Sequence, residues 1–225
     1  MEFAQKQMTK LALAGVLLGM CGWFGHILSL HDDDARFTFS PHFQVLNAPL
    51  EFAWEHASPK YLNMAEVELP HRGHPGIVST KITPDFPRAG SRAEHTLTDG
   101  STALEVVDDR NDVSHVFRYS VYQTGFLSNF VFKLQGIWKF SLIDSSKSKW
   151  TFRFRLVPKN RLGNVFVLLL MQTWKSYQAE MIPDIRHQLQ DMHRDHITSH
   201  GTPIPEWATT VDEIRVDHPL HNNHF

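Results

Sequence analysis

The chemistry that the sequence suggests most directly is acid/base catalysis by His115, Tyr119 and Glu105. His115 and Tyr119 fall in a predicted strand, 114–122, where side chains two positions apart share a face, and Phe117 between them favours burial of that face. A carboxylate beside a histidine stabilises the imidazolium, and burial raises the pKa of a carboxyl group. Such a pair, with Tyr119 polarising a carbonyl group, suits enolisation, aldol-type ring closure or dehydration.

The face that Glu105 occupies is left open by the sequence, because both sides of its strand are apolar. Glu105 alternates with Ala103 and Val107, whereas Leu104 and Val106 point the other way. The plainer alternative, which the pattern favours, is that one of the three catalytic candidates points to solvent and the other two make local hydrogen bonds. Whether the chain is an enzyme therefore stays open at this point.

Metal, cofactor and nucleic-acid sites have less support. The chain has 15 histidines but no H-E-x-x-H motif, and their spacing is typical of solvated surface histidines, so no metal site is predicted. No glycine-rich phosphate loop occurs, which predicts that the chain uses no nucleotide cofactor. The formal charge of -2 includes no basic excess for a phosphate backbone, so nucleic acid is not an expected partner.

The elements that must position these residues are those of an α+β domain. Short strands follow one another without intervening helices, which favours an antiparallel sheet. The seven predicted strands are 66–70, 77–83, 92–97, 102–108, 114–122, 135–143 and 150–157. An earlier strand, 37–46, precedes a short helix that opens at Asn47 to Pro49. A closing helix is predicted from Gly163 to about residue 195, with Pro183 kinking it and dividing it in two.

One face of the late strands is strongly apolar. Trp138 and Phe140 alternate with polar residues in one strand, as do Phe152 and Phe154 in the next. The C-terminal helix is the long element available to cover this face, and one helix about 10 Å wide leaves part of a broad sheet uncovered. The sequence therefore predicts a cavity between sheet and helix. Its predicted ligand-binding residues are His95, Phe117, Trp138, Phe140, Phe152 and Phe154.

Three segments and their order resemble the START-like, or SRPBCC, superfamily. They are Asn-Ala-Pro-Leu-Glu-Phe-Ala-Trp at 47–54, Gln-Gly-Ile-Trp-Lys-Phe at 135–140 and Trp-Thr-Phe-Arg-Phe at 150–154, followed by the long closing helix. The stretch 136–189 is most similar to the polyketide cyclase/dehydratase and lipid-transport-like branch. The resemblance covers residues 42–192 and implies a helix-grip fold, in which a curved antiparallel sheet of about seven strands wraps around a long C-terminal helix.

The resemblance implies two functions, and it does not choose between them. The first is binding of a hydrophobic small molecule, which would be a lipid, an isoprenoid or a polyketide-like compound, in the cavity between sheet and helix. The alternative is a cyclase/dehydratase enzyme that acts on a polyketide-like or other apolar carbonyl substrate by acid/base chemistry in the same cavity.

The N-terminal segment favours a membrane anchor. Residues 11–30 contain no Asp, Glu, Lys or Arg, and Lys6 and Lys10 precede them. Twenty helical residues span about 30 Å, the thickness of a bilayer core. We therefore predict a membrane-anchored protein with a single N-terminal hydrophobic helix. The alternatives are a cleaved signal, which would leave a secreted or periplasmic protein, and a helix packed on the domain.

The chain is thus predicted to have three parts. Residues 1–36 form the N-terminal hydrophobic anchor or signal segment, and residues 37–195 form the START-like domain. Residues 196–225 lose the helical periodicity and gather prolines and histidines, which is typical of a surface tail.

Overall fold

The structure of the chain is a computed structural model that describes residues 2–31, 34–39, 43–71 and 74–199, with side chains from residue 15 onwards. Its helices are α1 (Glu2–Leu28), α2 (Leu50–His56), α3 (Met64–Val67) and α4 (Arg161–Ser199). Its strands are β1 (Thr38–Phe39), β2 (Gln44–Leu46), β3 (Ile77–Ile82), β4 (Arg92–Leu97), β5 (Thr102–Asn111), β6 (Val116–Gln123), β7 (Val131–Leu142) and β8 (Ser148–Pro158). Most of the predicted histidine-rich tail, residues 200–225, lies outside the described residues.

The strands form one eight-stranded antiparallel sheet in the order β1-β8-β7-β6-β5-β4-β3, and β2 also pairs with β8. Each strand from β3 to β7 pairs with the next strand along the chain, which is what closely spaced strands with short turns favour. The helix α4 packs against this sheet, and their side chains form one hydrophobic core. The predicted α+β architecture, an antiparallel sheet with a long C-terminal helix, is confirmed.

Two of the predicted strands differ in the structure. The stretch 66–70 is not a strand, because the short helix α3 occupies its start; Met64 and Val67, three positions apart, are both buried, which is the helical period. The predicted strand 37–46 is divided into β1 and β2, both of which pair with β8.

The closing helix α4 is a single element of 39 residues that continues through Pro183. The prediction that this proline divides the helix is therefore wrong. A proline inside a helix removes one hydrogen bond and costs about 3 kcal/mol. Ile182 and Ile185 are buried on either side of Pro183, so packing against the core holds the helix together there.

The N-terminal helix α1 attaches to the domain at its C-terminal end. Ile27 is buried, and the Asn164 side-chain amide of α4 donates hydrogen bonds to the carbonyl oxygens of Ile27 and Leu30, at 3.1 and 2.9 Å. Residues 15–26 are exposed. In its final turns, therefore, the helix packs on the body of the protein.

The predicted transmembrane anchor at residues 11–30 is not supported by the structure. Among the helices of the described ranges, none combines the length and the apolar character that crossing a membrane requires. The apolar run is diluted by Gly15, Gly19, Gly22, Gly25 and His26.

One glycine in the sheet makes room for a residue that the sequence singled out. Gly136 of β7 lies opposite Tyr119 of β6 in the antiparallel register. A Cβ atom at position 136 would overlap the phenol ring of Tyr119. The missing side chain therefore lets the ring lie across β7 on the inner face of the sheet.

We expect the Gly136→Ala variant to lose about 1–3 kcal/mol of unfolding free energy, because the added methyl group overpacks the core. Urea unfolding measures the loss, and Gly22→Ala in the exposed part of α1, where a Cβ meets no neighbour, is the matched control. In a Tyr119→Ala background the same change should be much less harmful. An equal loss in both backgrounds would show that the Tyr119 ring is not the obstacle.

Candidate functional site

A cavity lies between the inner face of the sheet and α4. Its space measures about 800 Å³ including the mouth, of which about 80 Å³ is accessible to the centre of a water molecule. Strands β3 to β8 supply one wall, α4 supplies the opposite wall, and residues between 59 and 75 close a side. The α4 wall consists of Trp174, Tyr177, Gln178 and Met181. The cavity is therefore where the resemblance placed the ligand.

Aromatic rings make up much of the cavity wall. Phe117, Tyr119, Trp138 and Phe154 line it from the sheet. The rings of Tyr119 and Trp138 stand edge to face with centroids 6.0 Å apart. On the opposite wall, Trp174 and Tyr177 of α4 pack against each other with centroids 5.4 Å apart. These contacts are within the range that aromatic pairs prefer, so the wall is a packed apolar surface.

Four of the six predicted ligand-binding residues line the cavity. They are His95, Phe117, Trp138 and Phe154. Phe140 and Phe152 are also on the inner face and almost fully buried, but they pack with Trp150 in the core and do not line the cavity. Alternation along a strand predicts which side chains lie on the inner face of the sheet. It does not predict how far the cavity extends along that face.

Glu105 and Tyr119 both face the cavity, which settles the face that the sequence left open. Glu105 is 6 % exposed and Tyr119 is buried. Val107 of β5 lies opposite Tyr119 of β6, and Glu105 is two residues from Val107 on the same face. Two of the three catalytic candidates are therefore neighbours in the cavity.

The third candidate, His115, lies outside the cavity. It belongs to the turn before β6 and has a positive φ of 49°, so the alternation of the strand does not extend to it. Its Nε2 atom lies 3.3 Å from Glu51 Oε1, and its ring stands edge to face with Trp54. The expected pair between Glu105 and His115 is not formed.

The histidine that pairs with Glu105 is His95. His95 lies opposite Ala103 in the register of β4 and β5, so Glu105 is its diagonal neighbour on the inner face. The His95 Nε2 atom is 3.5 Å from Glu105 Oε2, and Nδ1 is 2.9 Å from Thr80 Oγ1. At 3 % exposure His95 is well buried. The turn at Asp99 sets this register, so pairing the two predicted strands across it would have found the contact.

The electrostatics of this pair favour a charged imidazole. Desolvation acts to lower the pKa of His95, but the hydrogen bond and attraction of Glu105, together with the attraction of Glu68, outweigh it and raise that pKa. Burial, with a smaller contribution from Glu105, raises the pKa of Tyr119 well above its usual value. The phenol of Tyr119 therefore stays protonated and is available as a hydrogen-bond donor.

Sequence reasoning missed a second polar pair in the cavity, Glu68 and Tyr177. The Tyr177 hydroxyl donates a hydrogen bond to Glu68 Oε2 at 2.9 Å. Desolvation raises the pKa of Glu68, although His95 and Tyr177 act in the opposite direction. Tyr177 lies four residues before Met181 on the buried stripe of α4, so helical spacing could have found it. Glu68 carried no such signal, because its segment was assigned to a strand.

Three buried polar atoms of cavity-lining residues have no hydrogen-bond partner among the described residues. They are Oε1 of Gln178, a residue 1 % exposed, and Nε1 of Trp138 and Trp174. Buried polar groups are usually hydrogen-bonded, because an unpaired one costs about 1–3 kcal/mol. Each of the three is therefore a candidate partner for a polar group of a bound molecule. Within the described ranges, no three His, Cys, Asp or Glu side chains come together as metal ligands.

Two histidines join the segment before β3 to α4 at the edge of the cavity. His74 lines the cavity, and its Nε2 lies 2.9 Å from Thr173 Oγ1. His71 pairs through Nδ1 with Glu180 at 2.7 Å and through Nε2 with Ser176 at 3.1 Å. Burial, with a smaller contribution from His71, lowers the pKa of His74 to about 4. This side of the wall therefore depends on a neutral His74.

We expect the His74→Gln variant to lose part of the acid sensitivity of the fold. The pKa of His74 is near 6.5 in the unfolded chain and about 4 in the folded protein. The stability that neutral His74 contributes is therefore fully present above about pH 6.5 and is lost as the pH falls towards 4. Urea unfolding at several pH values across this window measures the slope for each protein. His187→Gln, at an exposed position of α4, should keep the wild-type slope. The prediction fails if His74→Gln keeps it too.

Comparison with known proteins assigns the fold. No protein-family model matches the chain, and no curated protein matches it by sequence. The Zhui aromatase/cyclase from Streptomyces has a TM-score of 0.51 and 12 % identity over 68 % of this chain and 94 % of its own. The norcoclaurine synthase from Thalictrum flavum, in complex with dopamine and hydroxybenzaldehyde, has a TM-score of 0.47 and 14 % identity over 68 % and 87 %. With its antiparallel sheet held against a long C-terminal helix, this chain has a helix-grip fold similar to that of its START-like structural neighbours.

Proposed function

We propose that the protein binds a small, largely apolar molecule that carries a polar group, in the cavity between the sheet and α4. The observation that supports this most is an aromatic-walled cavity containing buried polar atoms without partners, Gln178 Oε1 and Trp174 Nε1. Apolar walls with a few placed polar groups are typical of small-molecule sites. The apolar surface provides affinity, and the polar atoms fix orientation.

The dimensions of the cavity favour a flat or narrow ligand. Only about 80 Å³ of the cavity accommodates the centre of a water molecule, and the remaining space lies close to the walls or at the open mouth. The aromatic walls therefore stand close together. Among the hydrophobic molecules considered from the sequence, a ring compound of the polyketide-like kind fits this shape better than a lipid with several chains.

A smaller cavity next to the first gives a route for the ligand. It shares His74, Val121 and Trp174 with the main cavity and reaches Leu127 and Phe132, near the turn between β6 and β7. Phe132 is exposed. The ligand enters on this side, between the turn and α4.

Binding can be tested with 2-phenylethanol, a small neutral probe with one ring and one hydroxyl. We expect it to shift the indole N–H NMR signals of Trp138 and Trp174, which line the cavity, and to leave that of Trp23, exposed on α1, unchanged. Filling the cavity by Ala103→Phe should abolish the shifts. The exposed change Ala89→Phe is the matched control, and thermal melting verifies that both variants fold. Equal shifts in all three signals would contradict a cavity site.

Acid/base catalysis is the second candidate, and the contact between His95 and Glu105 favours it. In an enolisation, the C–H bond beside a carbonyl breaks, its proton passes to the Glu105 carboxylate, and its electron pair forms the enolate. Tyr119 donates a hydrogen bond to the enolate oxygen, while protonated His95 stabilises the carboxylate between turnovers. The reaction is of the type that a cyclase or dehydratase uses, and the Zhui neighbour carries the name aromatase/cyclase.

This second candidate predicts hydrogen exchange in an apolar ketone. In D₂O, the wild-type protein should accelerate loss of the α-hydrogens of phenylacetone, followed by ¹H NMR, and Glu105→Gln should slow the exchange by about 100-fold because the base is lost. His115→Ala should leave the rate unchanged, because His115 lies outside the cavity. If Glu105→Gln exchanges as fast as wild type, the protein is not an acid/base catalyst of this kind.

A further inference from the structure

We propose that the ligand is an organic cation, an amine or ammonium group on an aromatic frame, and that its charged group binds beside Glu68 and Gln178. This inference rests on the proposed binding function and names the chemical class of ligand for the same cavity. The charges, the unpaired atoms and the aromatic walls each support it.

The cavity contains one more carboxyl group than its own cations can pair. Glu68 and Glu105 both line it, whereas no lysine or arginine does so in the described part of the chain. His95 is committed to Glu105 and Thr80. The other imidazole, His74, is held neutral at ordinary pH by burial. Glu68 thus accepts a hydrogen bond from the Tyr177 hydroxyl, and none of the lining cations is paired with it alone.

The unpaired acceptor on α4, Gln178 Oε1, favours a ligand that offers a hydrogen-bond donor. Gln178 follows Tyr177 along the helix and lines the cavity, and its buried Oε1 receives no hydrogen bond from the described residues. An ammonium group offers three N–H donors and no acceptor. It would satisfy Glu68 and Gln178 at once, which a carboxylate or a simple ether would not.

The aromatic wall suits a positive charge. Tyr119 and Trp138 stand edge to face beside the polar groups, and Trp174 and Tyr177 face them from α4. A cation within about 6 Å of an aromatic face is stabilised by the ring quadrupole, more strongly when water is excluded. An anion would meet two carboxyl groups and the negative faces of these rings, so the same wall rejects it.

Below the raised pKa of Glu68, its carboxyl group can give up a proton when the cation binds, so that the net charge of the cavity does not change. The groups that face Glu68 are His95, Glu105, Tyr119 and Tyr177, and burial raises its pKa. A bound ammonium group favours the carboxylate and lowers that pKa, so binding releases a proton. Affinity for an amine therefore falls as the pH is lowered through the pKa of Glu68, while affinity for a neutral analogue does not.

The test compares three probes of nearly equal size on the full-length protein: 2-phenylethylamine, 2-phenylethanol and 3-phenylpropionate. NMR titration of the Trp138 and Trp174 indole signals gives each Kd. We expect the amine to bind about tenfold or more tightly than the alcohol, the ratio that one charge-assisted hydrogen bond provides, and the carboxylate to bind most weakly. An amine no tighter than the alcohol would overturn this inference and leave the binding function standing. Failure of all three probes would overturn both.

The Glu68→Gln variant locates the charge, because it keeps an acceptor for Tyr177 and removes the carboxylate. We expect its affinity for the amine to fall to that for the alcohol, with alcohol binding unchanged. Glu66 is an exposed glutamate on α3, two residues before Glu68, so Glu66→Gln is the matched control and should bind both probes as wild type does. Unchanged amine affinity in Glu68→Gln would overturn the assignment.

A measurement on the wild-type protein keeps the test decisive even if Glu68→Gln does not fold. Calorimetric titrations in two buffers of different ionisation enthalpy report the protons released on binding. In a pH series that crosses the protonation of Glu68, the amine should release protons at the lower pH values and the alcohol should release none. Equal heats in both buffers for the amine at every pH of the series would count against Glu68 as the site of the charge.

Discussion

The apolar inner face of the sheet must be covered, and α4 is the long helix that lies against it. A helix about 10 Å wide spans only a few strands spaced about 4.8 Å apart. Over β7 and β8 the gap is filled by the large side chains Trp150, Phe140 and Phe152. Over β4 and β5 the inner face carries small or medium residues such as Ala103, so space remains. The cavity is therefore a consequence of where bulk is placed along one sheet.

Charged groups lie inside the domain around this space, and each must be stabilised there. A buried charge is tolerated only when it is paired or can change its protonation state. His95 and Glu105 are paired through their diagonal contact. Glu68 can change its protonation state, because burial raises its pKa. Tyr119 and Tyr177 stay protonated beside them. The polar groups at the cavity are thus compatible with a stable fold while keeping atoms available for a ligand.

The sequence predicts the sheet, the closing helix and the presence of a cavity, because long regular strands carry a strict two-residue alternation. Trp138 and Phe154 are examples, and both line the cavity. The alternation ends where the strand ends, which is why it misplaces His115, a turn residue with positive φ. Glu68 was out of reach for a different reason: it follows the short helix α3, which has too few residues to show a helical period. The pairing of His95 with Glu105 depends on register between strands, which alternation within one strand does not contain.

Two pairs of polar groups share the cavity, Glu68 with Tyr177 and His95 with Glu105. The two proposals assign ligand binding to the first pair and acid/base chemistry to the second. If an ammonium group binds beside Glu68, the carboxylate formed there compensates its charge locally. Where Glu68 is protonated before the ligand binds, the His95–Glu105 pair has a neutral neighbour in both states, because a protonated Glu68 and an ammonium–carboxylate pair carry the same net charge. Its own protonation is therefore little disturbed by the charge of the ligand. In this arrangement the proposed ligand contact lies at Glu68 and α4, whereas the proposed acid/base pair lies on β4 and β5, so the two proposals concern different elements of the fold.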